Sequence, residues 1–180
     1  RDPNSEFARI FFSSEQEANE WIASKVKTPF GVAGLLKRNL DDETRSNNAA
    51  SNEFYTVLFE GEFFSKDGLR RNAGWLLGFI TENGIEALNY LNGNYMIAVY
   101  DVKREIFVLR CDRYASRSLY YSNVNEKLLF ANDFRYVLRP QPRKDSINYE
   151  AILDFIDIEF VLNNETFHDN IKVLGHGEQL

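Results

Sequence analysis

The sequence predicts an α+β domain with two stacked antiparallel sheets and helices on the outside. Three observations carry this. Apolar segments at 94–100, 105–110, 118–122 and 127–130 follow one another across short polar turns, as hairpin strands do. Helical periodicity lies between runs of strands and does not alternate with each strand, which separates α+β from parallel βαβ. Finally, Met96-Ile97-Ala98-Val99-Tyr100 is apolar at every position, so this strand must be covered on both faces.

Taken in order, Ala8 to Phe12 reads as a strand. Ser14 and Glu17 have capping-box spacing and open a predicted helix through about Val26. Phe30 to Leu36 is a second strand, and Arg38 to Glu53 a polar surface loop. Phe54 to Phe59 is β-branched and aromatic, hence a strand ending sharply at Glu60-Gly61-Glu62. Leu69, Ala73, Leu76, Leu77 and Ile80 recur at helical spacing until Glu82-Asn83-Gly84 breaks them. Ile85 to Leu91 gives a short helix. After the four hairpin strands, Asp133 to Leu138 is a helical turn or two. Ser146 is a candidate N-cap for a helix whose apolar face is Ile147, Ile152, Phe155 and Ile156. Within the sheets, Tyr95, Ile97, Val99, Phe107 and Leu109 are expected on one layer and Met96, Ala98 and Val108 on the other.

One domain of 180 residues accommodates this plan. Arg1 to Phe7 reads as a cloning-linker remnant, leaving 8–180 as the domain. The net charge of −6 without a basic stripe argues against nucleic acid and against an anionic membrane surface. A single cysteine, Cys111, and two histidines, His168 and His176, leave no disulfide and too few ligands for a typical metal site. No metal is expected in this domain, and a cytoplasmic location is.

Several motifs, taken together and in order, are specific. Leu91 to Asp101 (LNGNYMIAVYD) resembles the L-x-G-x-F-A-F-A-L-Y-D strand of asparagine synthetases. Cys111 to Tyr121 (CDRYASRSLYY) resembles that family's R-D-R-x-G-x-K-P-L-Y-Y. Leu128 to Asp133 resembles L-L-F-A-S-E, and Ile171 to Glu178 resembles I-x-x-L-P-P-G-H. Phe59-Glu60-Gly61-Glu62-Phe63 stands where the family has x-N-G-E-I-Y-N. The resemblance runs from about Phe54 to Leu180. It implies the type 2 glutamine amidotransferase, or N-terminal-nucleophile, fold: an αββα sandwich.

The resemblance further implies how the active family works. An N-terminal Cys attacks the glutamine amide, an Asn side chain and a Gly N–H hold the oxyanion, and an Arg, an Asp and a Glu hold the substrate. Here no Cys precedes Cys111, so no catalytic residue is assigned. The oxyanion Asn falls on Glu60, whose charge would oppose a developing oxyanion. Gly61 and Glu62 match. The amino-binding Asp falls on Asn72, and the segment Gly31 to Leu36 contains no Arg. Glu60, Gly61, Glu62 and Asn72 would then line a vestigial glutamine pocket.

Lasso-peptide cyclases and β-lactam synthetases look like this. The expectation is therefore a non-hydrolytic domain that supports its own C-terminal synthetase domain, which would use ATP and Mg; a homodimer is a further possibility. The alternative is the glutamine-hydrolysing domain of a true asparagine synthetase whose N-terminal Cys was removed in cloning. A stand-alone interaction module is a third reading.

Each sharp reading has a bland rival. Cys111 as nucleophile competes with a buried apolar thiol, and Glu60 with Glu62 as an acid–base pair competes with a solvated turn. Asp112 and Arg113 as ligand-binding groups compete with turn-stabilising contacts. The histidines are expected in a surface or interdomain role. The bland readings are preferred throughout.

Overall fold

The computed structural model describes the backbone of Ile22–Thr28 and Gly31–Leu36, and residues 48–180 other than 65, 66, 68, 70, 125 and 126. Strands β1 (Ile22–Thr28) and β2 (Gly31–Leu36) form an antiparallel hairpin. A four-stranded sheet follows in the order β3 (Ala49–Ser51), β4 (Tyr55–Phe63), β5 (Gly93–Asp101), β6 (Ile106–Cys111). A second sheet is ordered β8 (Lys127–Ala131), β7 (Tyr120–Val124), β9 (Lys172–Val173). Every strand pairing among the described residues is antiparallel. The helices are α1 (Ala73–Asn83), α2 (Phe134–Leu138) and α3 (Tyr149–Ile158), with a 3-10 turn at Ile85–Tyr90.

Three apolar layers join these elements. α1 lays Ala73, Leu76 and Ile80 on Val57, Phe59, Ile97 and Val99 of the four-stranded sheet. The other face of that sheet, with Leu58, Met96, Ala98 and Leu109, meets Tyr121, Leu128 and Phe130 of the second sheet. Beyond it, Val137 of α2 packs with Leu129 and Ile171. The fold is thus an αββα sandwich, and the α+β expectation holds. β5 is apolar at successive positions because it is covered on both sides. Burying a side chain such as Leu76 contributes about 2 kcal/mol. Local chemistry agrees: the Asn72 side chain accepts from Trp75 N at 2.9 Å to start α1. Gly84, at φ 79°, ends it with its N–H on the Ile80 carbonyl.

The structure corrects several expectations. The stretch Ile22 to Val26 is strand, not helix; its hairpin partner β2 overrides the capping-box signal, and Ile22, Val26 and Thr28 are β-branched. Ala8 to Phe12 and the first part of that helix lie outside the described residues. β4 does not stop at Glu60 but runs to Phe63, because β5 pairs with it throughout, Phe63 opposite Gly93. Gly61 permits this: its φ is 124°, and a Cβ there would lie 2.1 Å from the Asn94 carbonyl oxygen. Within the loop expected at 38–53, β3 pairs with β4.

The hairpin register places Val99 opposite Val108 and Ala98 opposite Leu109. Phe107 and Leu109 therefore share the inter-sheet layer with Met96 and Ala98, while Val108 joins Tyr95, Ile97 and Val99. Residues directly opposite in a ladder share a face, so the turn at 102–105 decided this, not the alternation within either strand. Leu69 lies outside α1 and is exposed.

At α3 the N-cap is Asn148, accepting from Ala151 N at 3.1 Å, while Ser146 bonds Asp169. Ala151 is the buried residue of this helix. The apolar face of this helix stands largely in solvent, Ile156 at 68% exposed. His168 is buried, not superficial; its ring Nε2 lies 2.8 Å from the Arg143 carbonyl and its Nδ1 accepts from Asn170 N. That pattern describes a neutral ring donating through Nε2. His176 is exposed.

Candidate functional site

Side chains alternate along β4. Phe59, Gly61 and Phe63 belong to the α1 side, so Leu58, Glu60 and Glu62 belong to the inter-sheet side. Leu58 is buried there. Glu60 lies one step further along, opposite Met96, where the two sheets open into a cleft of about 400 Å³. Glu60 and Met96 enter it from the first sheet. Arg117, Ser118, Tyr120, Asn132, Asp133 and Phe134 line it from the other side.

The Glu60 side chain is 12% exposed and Arg117 37%. A carboxylate so deeply placed requires compensation. It accepts from Arg117 Nη1 at 3.3 Å through one oxygen and from Asn132 Nδ2 at 3.0 Å through the other. Arg117 Nε donates to Asn94 Oδ1 at 2.9 Å. Asn94 belongs to β5, so the guanidinium ties the loop after β6 to the first sheet.

That loop is shaped by Asp112, which is fully buried. Its carboxylate accepts from Tyr95 N, Tyr114 N, Ser116 N and the Ser116 hydroxyl at 2.9 to 3.3 Å. Ala115 takes a left-handed conformation, φ 47°, within the turn. Asp112 is thus a turn-stabilising group, as the bland reading held; Arg113 is exposed. Asp133 caps α2 and is bound on both oxygens by Arg135, which holds its carboxyl below the usual range.

Of the four residues assigned from sequence to a glutamine pocket, Glu60 lines the cleft and Gly61 lies in β4 beside it. Glu62 is exposed at the end of the strand. Asn72 is exposed and caps α1 with its side-chain oxygen. No hydrogen bond joins Glu60 to Glu62 among the described residues.

Cys111 is buried with its Sγ 2.9 Å from the Gly175 carbonyl oxygen. Burial, and then the Asp112 charge, push its thiol up to about 11. It is inert packing, not a nucleophile. Among the described residues no cluster of three or more His, Cys, Asp or Glu could hold a metal ion, and no helix is long and apolar enough to cross a membrane.

Sequence reasoning did not assign Arg117, Asn94 or Asn132 to the site. One signal for them existed. Glu60 follows the apolar run Val57-Leu58-Phe59 within β4, and a carboxylate beside such a run demands a cation from elsewhere. Which cation answers is a matter of the loop that Asp112 holds.

A four-layer antiparallel sandwich with a polar cleft between its sheets is the arrangement that the resemblance to amide-handling enzymes implies. Residues 72–180 match the family model described as a glutamine amidotransferase domain, and the chain belongs to that family. It is also similar to a stretch of the amidase chyE of Penicillium rubens, 33% identical over 55 residues. That stretch is 31% of this chain and 8% of the amidase, so the chain spans a small part of that relative.

Proposed function

We propose that this is a non-hydrolytic glutaminase-like domain of asparagine-synthetase type that serves as a scaffold for an ATP-dependent, amide-forming synthetase domain. The observation that carries the reading is the state of Glu60. Where the resemblance puts the oxyanion donor, the cleft presents a carboxylate, held there by Arg117 and Asn132. Replacing a donor with a negative acceptor removes transition-state stabilisation and adds repulsion, a loss of roughly a hundredfold or more. Asn72 supports the same reading, since its side-chain oxygen is spent on the first turn of α1.

The partner surface is the outer face of α3 and the segment after it. Leu153, Phe155, Ile156, Ile158, Phe160 and Phe167 are exposed there, and exposed apolar side chains concentrated in this way support an interface. Under this reading the synthetase domain covers that patch and binds ATP and Mg, while this domain contributes no metal ligand.

Glutamate release from glutamine tests the proposal, measured with a coupled dehydrogenase on the full natural protein. Release at the buffer-blank rate is expected. Release well above blank, abolished by a thiol-alkylating glutamine analogue, overturns it in favour of a working glutaminase.

A further inference from the structure

α3 presents an apolar stripe to solvent. Tyr149, Leu153 and Ile156 recur at i, i+4 and i+7, so they share one face of the helix, and they are 60% to 71% exposed. The opposite side anchors the helix: Ala151 is buried, and the Phe155 ring meets Phe167 edge to face with centroids 5.6 Å apart. Asn148 caps the first turn, and the Glu159 N–H closes the last on the Phe155 carbonyl. The backbone groups are thus spent within the helix, which offers a partner its side chains and no strand edge.

The charge around the stripe has one sign. Residues 145–171 carry seven Asp and Glu and no Lys or Arg. Three of these acids are engaged: Glu165 with Lys172, Asp169 with the Ser146 hydroxyl, and Asp154 with the Leu162 N–H. Glu150 and Asp157 are exposed and seven residues apart, so they stand on one flank of the stripe. Among the described residues no cation pairs with either. A second copy laid antiparallel on the stripe would bring this acidic flank against itself. An anionic lipid surface would meet the same repulsion. A cationic apolar surface satisfies both the stripe and its flank.

We infer that α3 docks an amphipathic helix of its partner, apolar along one face and flanked by Lys or Arg. Side-chain ridges on α3 fit the grooves of such a helix, and its cations meet Glu150 and Asp157. The inference rests on the reading of this surface as the contact with the synthetase domain and adds the chemistry of the opposing face.

The test is an NMR titration of the chain with three synthetic peptides of about 18 residues, long enough to turn helical on binding. One has a Leu stripe flanked by Lys, one the same stripe flanked by Glu, and one the Lys flank with Ser in place of Leu. The Leu/Lys peptide is expected to shift the amides of α3 saturably, and the other two to bind at least about tenfold more weakly. Ile156→Ser should weaken the Leu/Lys peptide about tenfold, and Glu150→Gln with Asp157→Asn about fivefold. Raising salt from about 0.05 to 0.5 M should weaken it several-fold. Equal binding of the Leu/Glu or Ser/Lys peptide, binding unchanged in folded variants, or no Leu/Lys binding at millimolar concentration overturns the inference. So does self-association of the chain, or binding to vesicles containing phosphatidylserine, that Ile156→Ser abolishes. Should a variant fail to fold, the peptide series on the unaltered chain decides by itself. Equal binding of the Leu/Glu peptide would sink the basic flank and leave the α3 interface standing. Glutamate release from glutamine would sink the non-hydrolytic reading and leave the peptide results to be judged alone.

Discussion

Two carboxylates, Asp112 and Glu60, stand near the ends of adjacent parts of the same sandwich, and their surroundings differ in kind. Asp112 is fully buried and accepts hydrogen bonds from one N–H of β5, two N–H groups of the loop after β6 and a hydroxyl. Its neighbours are fixed by the carboxylate, and nothing is left for a ligand. Glu60 is almost as deep, yet it looks into open space and holds its cation by a single contact. Burial alone therefore does not separate an acid whose hydrogen bonding is complete from one left open to a cleft. What distinguishes them is whether the hydrogen-bonding capacity around the acid is used up within the chain.

The largest effect should come from breaking the closed corner. Asp112→Ala leaves several buried N–H groups without an acceptor and frees the loop that carries Arg117. A loss of about 3 kcal/mol or more is expected in urea unfolding. The Asn94 and Arg117 signals should broaden in the same variant, because that loop sets their contact.

Cys111, next to Asp112, gives the next effect. Its thiol is raised to about 11, so the folded state binds the proton more tightly than the unfolded one. The contribution is fully present below the ordinary thiol value near 9.0 and is lost as pH rises through about 11. Stability should fall by about 2.7 kcal/mol across that window. Cys111→Ala should flatten this part of the profile. In the folded protein at pH 8 the thiol should resist a disulfide reagent that reacts at once in denaturant.

Opening the other region should cost less. Glu60→Gln removes an ion pair that is partly solvated and contacts Arg117 at one point, so its effect on unfolding should stay within about 1 kcal/mol. A loss as large as that of Asp112→Ala would show that the cleft is a structural network and would erase the contrast between the two acids.

The smallest effect is at Asp133, whose carboxyl is held low mainly by its hydrogen bonds with Arg135. A lowered carboxyl contributes stability above its unfolded pKa of about 3.9, and that contribution is lost as pH falls through its lower folded value. Asp133→Asn preserves the cap and removes the charge. It should lower stability at neutral pH by about 0.5 kcal/mol and converge with the unaltered chain as pH falls through the lowered folded value. Thermal unfolding across acid pH checks this.

Much of the fold was legible without coordinates. The doubly covered strand β5 announced itself by unbroken apolarity, and the turn residues between β5 and β8 marked the hairpins. The amide-handling family was legible too, because its motifs survive in order along Leu91 to Glu178. The candidate site was legible in part. Glu60 was picked out from the motif it resembles, but its partners could not be, since Arg117 and Asn132 lie 57 and 72 residues away in sequence. His168 was misplaced for a similar reason. Its burial depends on the Arg143 carbonyl, whose approach no local pattern encodes.

The sequence by itself determined most of the strands from β4 to β8, which positions are apolar, and that position 60 carries an acid. These follow from chemistry repeated at a local period of two or of about 3.6 residues. Tertiary structure decided the rest: the hairpin register that moved Leu109 to the inter-sheet layer, the burial of His168, and the pairing of Glu60 with Arg117. Each depends on which distant surface arrives opposite a residue. A long-range contact is selected by the summed packing of two whole layers, and no window along the chain contains that sum.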